Sequence, residues 1–121
     1  MSIHPNFQLG QILSLDCGNR NLYCEVIQVI TSRDIGWVRP LLLAEFIQEQ
    51  PLITDLRDAS DLLWPIGLFR PALDTEVISL LSQLVPKESK VNIDNVAQHK
   101  LQQFIYQAWQ AYQDGKKLEN S

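Results

Sequence analysis

The feature that most constrains this chain is a change of hydrophobic period at the start of its C-terminal third. Between Leu22 and Ile30 the residues fit a two-residue alternation, whereas from Asp74 onward apolar residues recur every three or four positions. The first spacing is typical of a β-strand and the second of an α-helix. Strands that come first and helices that follow predict an α+β domain. We expect a small antiparallel sheet or barrel, SH3-like or curled, followed by a C-terminal helical pair that packs on it or caps it.

Three strands are predicted in the first part of the chain. Leu9 to Leu15 is short and aliphatic, and Asp16 to Asn19 supplies residues that tolerate a tight turn. The third strand, Trp37 to Leu43, contains Pro40, which has no amide to donate and so places this strand at a sheet edge or at a bulge.

The second strand, Leu22 to Ile30, has two substantially apolar faces. Such a strand suits a curled sheet with one face on the core and the other partly covered. Strict alternation places Tyr23, Glu25, Ile27 and Val29 on one face and Leu22, Cys24, Val26, Gln28 and Ile30 on the other.

The middle of the chain is harder to interpret. Ala44 to Gln50 fits a short helical turn, and Leu52 to Leu56 fits either a short strand or the start of a helix. Leu62 to Leu73 contains prolines and a glycine among large apolar residues, which favours extended, irregular or edge-strand structure.

A first helix is predicted to begin at Asp74, a good N-cap residue. Leu73 and Ile78 flank it with the spacing of a hydrophobic staple, Glu76 favours the first turn, and Pro86 ends the segment. The residues expected on its apolar face are Val77, Ile78, Leu81, Leu84 and Val85.

A second, longer helix is predicted from about Asp94 to Asp114, with Gly115 as its stop. Its apolar stripe consists of Ala97, Leu101, Phe104, Ile105, Ala108 and Tyr112, and its polar face is rich in glutamine. Tyr106 and Trp109 lie beside the stripe and widen it, so we expect this helix to contact two surfaces: its own sheet, and either the shorter helix or a second subunit. The chain is then one domain over 1–121, β-rich at 7–73 and helical at 74–115, with a frayed tail at 116–121 and one core between sheet and helices.

Composition excludes several classes of protein. The 121 residues suffice for one domain, 45% are hydrophobic and 20% charged, and 14 acids against 10 bases give a net charge of -4. A negative chain lacks the basic field of a general nucleic-acid or anionic-membrane binder, so we expect neither partner. No apolar run approaches a membrane span and no leader pattern is present, which indicates a cytoplasmic protein with Cys17 and Cys24 as free thiols.

Two segments resemble one another. Gly36-Trp37-Val38-Arg39-Pro40 and Gly67-Leu68-Phe69-Arg70-Pro71 share a glycine, two apolar residues and Arg-Pro. One interpretation is a pair of edge segments that present arginine and aromatic side chains to a partner; the other is coincidence between two edge strands. The candidate interaction residues are therefore Trp37, Arg39, Arg70, Tyr106 and Trp109. Tyr23, Trp37, Trp64 and Phe69 either fill the core or form a stacking surface, and core packing is favoured.

Signals for catalysis or metal binding are weak. Asp55, Asp58 and Asp61 would lie along one side of a helix and could offer oxygen ligands to a hard cation, but solvated loop acids explain the spacing better. His4 and His99 have no nucleophile near them in sequence, and no phosphate loop or nucleophile elbow occurs. We therefore expect no catalytic residue and no cofactor.

The segments Phe7 to Leu15, Leu22 to Ile30 and Gly36 to Leu41 resemble the opening hairpins of SH3-like or Tudor-like small barrels, in which a glycine near the first strand precedes a Tyr-x-x-x-Val-like second strand. The resemblance implies a small barrel. The chain lacks the second aromatic-Asp-aromatic-Gly element of the Tudor pattern, so a methyl-ligand cage does not transfer. The composition as a whole resembles that of small conserved cyanobacterial proteins, which implies no activity.

The sequence does not determine a function. We expect a non-enzymatic protein-interaction or assembly module with a protein partner or a second copy of itself. The alternative is a small-molecule-binding or enzymatic domain whose pocket lies between sheet and helices.

Overall fold

The computed structural model describes residues 7–47, 49–84 and 95–119. Within these residues the chain forms six strands and then two α-helices, which confirms the α+β prediction. The elements are β1 (Ile12–Cys17), β2 (Arg20–Ile30), β3 (Ile35–Glu45), β4 (Leu52–Asp55), β5 (Leu62–Pro65), β6 (Arg70–Pro71), α1 (Asp74–Leu81) and α2 (Asn95–Glu119). All the strand pairs are antiparallel, and the sheet is not closed into a barrel.

The sheet has the order β4-β3-β2-β1-β6, and β5 also pairs with β3. Residues 42–45 of β3 pair with β4 and residues 35–38 pair with β5, so β3 is an interior strand. Pro40 lies between these two stretches, opposite Cys24, while Leu42 lies opposite Tyr23. Leu41 is therefore the extra residue of a bulge, and the missing amide of Pro40 falls where neither β4 nor β5 pairs. Of the two placements predicted for Pro40, the bulge is confirmed and the edge is wrong.

The first hairpin is tighter than predicted. Cys17 pairs with Arg20, so the turn consists only of Gly18 and Asn19, with Gly18 at a φ of 60°. A two-residue turn needs residues that tolerate positive φ, which glycine does at no steric cost. Asp16 and Cys17, predicted as turn residues, therefore belong to β1.

A second bulge lies in β2. Val26 is opposite Val38 and Gln28 is opposite Trp37, so Ile27 has no partner on β3. The bulge reverses the alternation of the residues that follow it. Val29 consequently lies on the same face of the sheet as Val26, and the two side chains belong to one apolar cluster. The strict alternation predicted beyond Val26 is therefore wrong.

The two faces of the sheet carry separate apolar clusters, in place of the one core expected. Leu22 and Cys24 belong to the first cluster, whereas Tyr23 between them belongs to the second. Helix α2 covers the first cluster and α1 covers the second, so the helices pack on opposite faces. The first cluster consists of Leu13, Leu15, Leu22, Cys24, Val26, Val38, Leu43, Leu56, Trp64, Ile66, Phe69, Ala97, Leu101, Phe104 and Ala108. The second consists of Tyr23, Leu42, Ala44 and Leu80, with Ile12, Ile53, Ala72, Val77, Leu81 and Leu84 partly buried against it.

Helix α1 is capped one residue earlier than predicted. Leu73 is its N-cap, and the Glu76 carboxylate accepts a 2.7 Å hydrogen bond from the Leu73 backbone N–H. The residues at staple spacing are then Ala72 and Val77, which pack against the second cluster, whereas Leu73 and Ile78 are exposed. Leu80, absent from the predicted stripe, is the buried residue of this helix. Val85 and Pro86 lie outside the described residues.

Helix α2 continues through Gly115 to Glu119, so the stop predicted at Gly115 is wrong. Its predicted stripe is confirmed in Ala97, Leu101, Phe104 and Ala108, which are buried in the first cluster. Two polar contacts fix its position on the sheet. The Arg20 guanidinium lies 5.3 Å from the centre of the Phe104 ring, and Lys100 Nζ lies 3.1 Å from Glu45 Oε1.

The segment between β3 and α1 resolves the alternatives left open by the sequence. Ala44 and Glu45 complete β3, and the described residues among 46–50 form no helix, so the helical turn predicted there is wrong. Leu52–Asp55 is a strand. Leu62 to Leu73 is extended and irregular, as its prolines predicted.

Candidate functional site

An open groove lies between α2 and the segment that runs from Asp58 into β5. It encloses about 600 Å³. The apolar part of its lining consists of Ala59, Leu62, Trp64, Leu101, Ile105 and Trp109. A loop and a strand form one wall of the groove, and a single helix forms the other.

Helix α2 forms its wall with a face adjacent to the buried one. Gln98, Gln102, Ile105 and Trp109 recur with helical spacing, one residue after the positions that face the first cluster. Leu101 takes part in both surfaces. The helix therefore packs on the sheet with one face and lines the groove with the next. Helix α1 packs on the opposite face of the sheet, so it does not supply the second surface predicted for α2, and a second subunit there stays a prediction.

Aromatic side chains shape the floor and rim of the groove. Trp64 is 8% exposed, and its indole meets that of Trp109 in a T-shaped contact with ring centres 5.6 Å apart and planes inclined by 72°. The ring planes of Trp109 and Tyr112 are inclined by 43°, and the ring centres are 5.3 Å apart. Edge-to-face pairs of this kind are favoured by the quadrupole of the rings. The contacts hold Trp109 in place although 38% of its surface is exposed.

The buried indole nitrogen of Trp64 is a distinctive polar group of this site. Trp64 Nε1 is buried and has no hydrogen-bond partner within the described part of the chain. A buried donor without an acceptor costs free energy, so such groups are rare in folded proteins.

The polar part of the lining is almost uncharged. It consists of Asp58, Ser60, Gln98, Gln102 and Tyr106. Among the described residues of the lining, Asp58 is the one carboxylate and there is no lysine or arginine. Arg57, the residue before Asp58, is held by Asp55 through Arg57 Nη2 to Asp55 Oδ2 at 2.8 Å, a contact that raises the pKa of the guanidinium. The described part of the lining is therefore predominantly apolar.

Of the five predicted interaction residues, only Tyr106 and Trp109 line this groove. Trp37 and Arg39 lie together elsewhere: Trp37 Nε1 donates to Asp61 Oδ2 at 2.9 Å and Arg39 Nε donates to Asp61 Oδ1 at 3.3 Å. Arg70 lies apart from both pairs. These placements separate the predicted set into three locations.

The two similar segments are not equivalent in the sheet. Arg39 and Pro40 belong to the interior strand β3, whereas Arg70 and Pro71 form β6, a two-residue edge strand. The prediction that both segments are edge strands is therefore wrong for the first segment. Since Pro40 occupies a bulge and Pro71 an edge, the Arg-Pro dipeptide meets a different local requirement at each position.

Arg70 belongs to a network that fixes α1 on the sheet. Its Nε lies 2.6 Å from Asp16 Oδ2 and its Nη1 lies 2.7 Å from Glu76 Oε1. Tyr23 Oη donates to Glu76 Oε2 at 2.6 Å. The hydrogen bonds from Arg70, followed by those from Tyr23 and the Leu73 backbone, lower the pKa of Glu76 to about 2 despite partial burial. Burial, followed by the bond to Glu76, raises the pKa of Tyr23. Because the charged groups of this network are paired with one another, we interpret it as a structural clamp that holds α1 on the sheet.

The three candidate metal-ligating aspartates do not converge. Asp55 ends β4, where it pairs with Arg57, and Asp61 holds Trp37 and Arg39. No group of three or more metal-ligating side chains occurs within residues 7–47, 49–84 and 95–119. His99 is exposed and does not line the groove, and His4 lies outside the described residues.

No protein-family model, curated protein or solved structure matches this chain. The resemblance of its first strands to SH3-like or Tudor-like barrels therefore stays a prediction. In the part of the chain that the structure describes, no helix has the length and apolar character needed to cross a membrane.

Sequence reasoning missed one wall of the groove. Trp64 was expected in the core and is buried there, but it also lines the groove together with Ala59 and Leu62. The sequence feature that pointed to Trp64 is its aromatic side chain next to Pro65. Nothing in the sequence pattern indicated that residues 58–62 would face α2, because this contact is set by how β5 pairs with β3.

Proposed function

We propose that this protein is a non-enzymatic interaction module that binds an apolar segment of a partner protein in the groove between α2 and residues 58–64. The observation that carries this proposal is the exposure of Trp109 and Tyr106 on an apolar groove of about 600 Å³. Tryptophan and tyrosine are among the residue types that contribute most to binding at interfaces. A recess beside them can accept the anchor side chains of a partner.

The geometry of the groove favours recognition over catalysis. Among the described residues its lining includes neither histidine, the commonest general base, nor cysteine. The same lining offers glutamine side chains, Gln98 and Gln102, that can donate and accept hydrogen bonds along a partner backbone. Such uncharged polar rims are typical of protein interfaces.

The proposal includes a cytoplasmic setting and a protein partner in preference to nucleic acid or membrane. A net charge of -4 supports the exclusion of polyanionic partners, since these need a basic surface. Free Cys17 and Cys24 support a reducing compartment.

A random library of 16-residue peptides displayed on phage provides the direct test. The immobilised full chain selects binders, and affinities of synthetic peptides from the enriched sequences are measured by calorimetry. The blocking variant is Gln102→Trp, which adds bulk inside the groove. Its matched control is Gln103→Trp, which adds the same side chain at the next exposed position of α2, outside the lining.

The expected result is enrichment of sequences with aromatic or aliphatic anchors. Gln102→Trp should weaken their affinity by about tenfold or more, the loss that follows when an anchor is excluded. Gln103→Trp should leave the affinity unchanged. Failure to enrich any sequence, or equal effects of the two variants, would contradict the proposal.

A small organic ligand is a second candidate, and the size of the groove favours it. The groove volume of about 600 Å³ falls within the range of roughly 300 to 1,000 Å³ that small-molecule sites occupy. A fragment library screened by thermal shift against the wild type and Gln102→Trp tests this candidate, which predicts stabilisation of the wild type alone.

A further inference from the structure

We infer that the partner bound in the groove is a second copy of this chain, whose helix α2 lies antiparallel across the groove and places its Trp109 against Leu101 of the first copy. The inference rests on the proposed function and names the partner. Both copies use the same surface, so two identical contacts form at once about a two-fold axis.

The surface carries both a projecting side chain and a recess beside it. Trp109 is 38% exposed and is held by Trp64 and Tyr112, so it loses little conformational freedom when it binds. The recess is lined in part by Ala59 and Leu101. A surface of this kind fits a copy of itself when two-fold symmetry places each projection opposite the recess of the other copy.

Spacing along α2 determines how the two copies align. Leu101 and Trp109 are separated by about 12 Å along the helix axis at a rise of about 1.5 Å per residue. Antiparallel helices that place these two residues opposite one another have their two-fold axis at Ile105, midway between them. Ile105 lines the groove, so the axis passes through this surface. Tyr106, which is 65% exposed, then lies beside the axis and close to Tyr106 of the other copy.

The polar side chains on this face of α2 suit contact with an identical face. Gln98 and Gln102 line the groove, and an amide both donates and accepts hydrogen bonds, so one glutamine can pair with another. A lysine or a glutamate near a two-fold axis would instead meet its own charge. The charge of Asp58, which also lines the groove, interacts with that of Arg57 in the same chain. Apolar and amide contacts therefore suffice to join the two copies.

The length of α2 sets the size of the interface. With the axis at Ile105, residues 95–115 of the two helices overlap over a length of about 30 Å. A helix is about 10 Å wide, and the wall of residues 58–64 adds a second element of similar width, so the shared patch is on the order of 600 Å² on each copy. Specific complexes begin at about this area per partner. We therefore expect a reversible dimer with a micromolar dissociation constant.

Association of the full chain is measured by analytical ultracentrifugation in the wild type and two glutamate variants. Gln102→Glu puts a charge in the groove lining, and a two-fold interface receives that charge twice. The matched control, Gln107→Glu, places the same charge on an exposed face of α2 outside the described lining. Gln102→Glu should raise the dissociation constant of the dimer by about tenfold or more, whereas Gln107→Glu should leave it unchanged.

The salt dependence of the dimer is a second measurement. Each copy carries a net charge of -4, so two copies repel one another. Raising the salt concentration from about 20 mM to about 500 mM screens this repulsion and should lower the dissociation constant. A dimer held by ion pairs would weaken instead, and that result would overturn the inference.

Cross-linking tests the alignment of the two helices. Tyr106→Cys in a Cys17→Ser background places a thiol beside the proposed axis, and Gln107→Cys in the same background is the matched control. Cys24 is completely buried and should not react. A bismaleimide that spans about 8–10 Å, the separation of packed helices, should join two Tyr106→Cys chains and few Gln107→Cys chains. Equal cross-linking of the two variants would overturn the inference.

The outcomes separate this inference from the proposed function. A chain that stays monomeric at about 1 mM, or a dimer that Gln102→Glu leaves intact, would overturn the inference alone if selected peptides still bind the groove. A monomeric chain that also selects no peptide would overturn both. If a second copy occupies the groove, a selected peptide that binds there should dissociate the dimer.

Discussion

Tyr23 Oη donates a 2.6 Å hydrogen bond to Glu76 Oε2 and thereby joins the middle of β2 to the first turn of α1, 53 residues later in the chain. The same carboxylate accepts from Arg70 and from the Leu73 backbone N–H. One side chain thus caps the helix, pairs with a cation on β6 and satisfies a buried tyrosine. We expect Glu76 to contribute more to stability than any exposed acid of the chain.

Glu76→Gln should lower the free energy of unfolding by about 2 kcal/mol at pH 7, since a charge-assisted network is lost while the cap is partly kept. Folding lowers the pKa of Glu76 from 4.5 to about 2, so the folded state binds fewer protons than the unfolded state in this range. The contribution is complete above about pH 4.5 and is lost as the pH falls towards 2. Urea unfolding of both proteins at pH 7 and at pH 3 measures it. A difference that did not shrink at pH 3 would argue against this role.

Arg70→Met should destabilise the protein by about 1–3 kcal/mol, because it leaves Asp16 and Glu76 without their shared cation. Arg39→Met is the matched control. Arg39 has one ionic partner, Asp61, and half of its side chain is exposed, so its loss should change stability by less than about 1 kcal/mol. Thermal unfolding of both variants checks the order. Equal losses would show that the network around Arg70 is not a clamp.

Gly36→Ala should destabilise the protein by about 1–3 kcal/mol through overpacking. A Cβ at position 36 would lie 2.6 Å from Ile66 Cδ1, whereas Ile66 Cγ1 is 3.7 Å away. Ile66→Val removes the clashing methyl group, so the double variant should recover part of the loss. A double-mutant cycle by urea unfolding measures the coupling between the two positions. Additive effects of the two substitutions would contradict the contact.

A maleimide reagent should label Cys17 and leave Cys24 unmodified in the folded protein. Cys24 is completely buried, and burial raises the pKa of its thiol, so its reactive thiolate is scarce. Cys17 is partly exposed. Mass spectrometry should show one label on the native chain and two after unfolding in guanidinium chloride. Two labels at the same rate under native conditions would contradict the burial of Cys24.

Two of the five predicted interaction residues line the groove, and the other three do not. Tyr106 and Trp109 were found from sequence because they widen the apolar stripe of α2, and helical spacing fixes their neighbours on the helix. Trp37, Arg39 and Arg70 were selected for residue type and similarity of segment. None of the three lines the groove: Trp37 and Arg39 lie on β3 and bind Asp61, and Arg70 lies on the edge strand β6. Which side chains meet depends on strand pairing, which residue type does not reveal.

Local rules of the sequence determined the α+β class, the order of strands and helices, and the buried stripe of α2. These follow from periods of two and 3.6 residues, which are properties of short stretches of chain. Tertiary structure alone decided the bulge at Ile27, the choice between bulge and edge at Pro40, the packing of α1 and α2 on opposite faces, and the continuation of α2 through Gly115. Such features depend on strand register and on contacts between residues distant in sequence. Tertiary contacts can therefore override the local preference of a glycine or a proline.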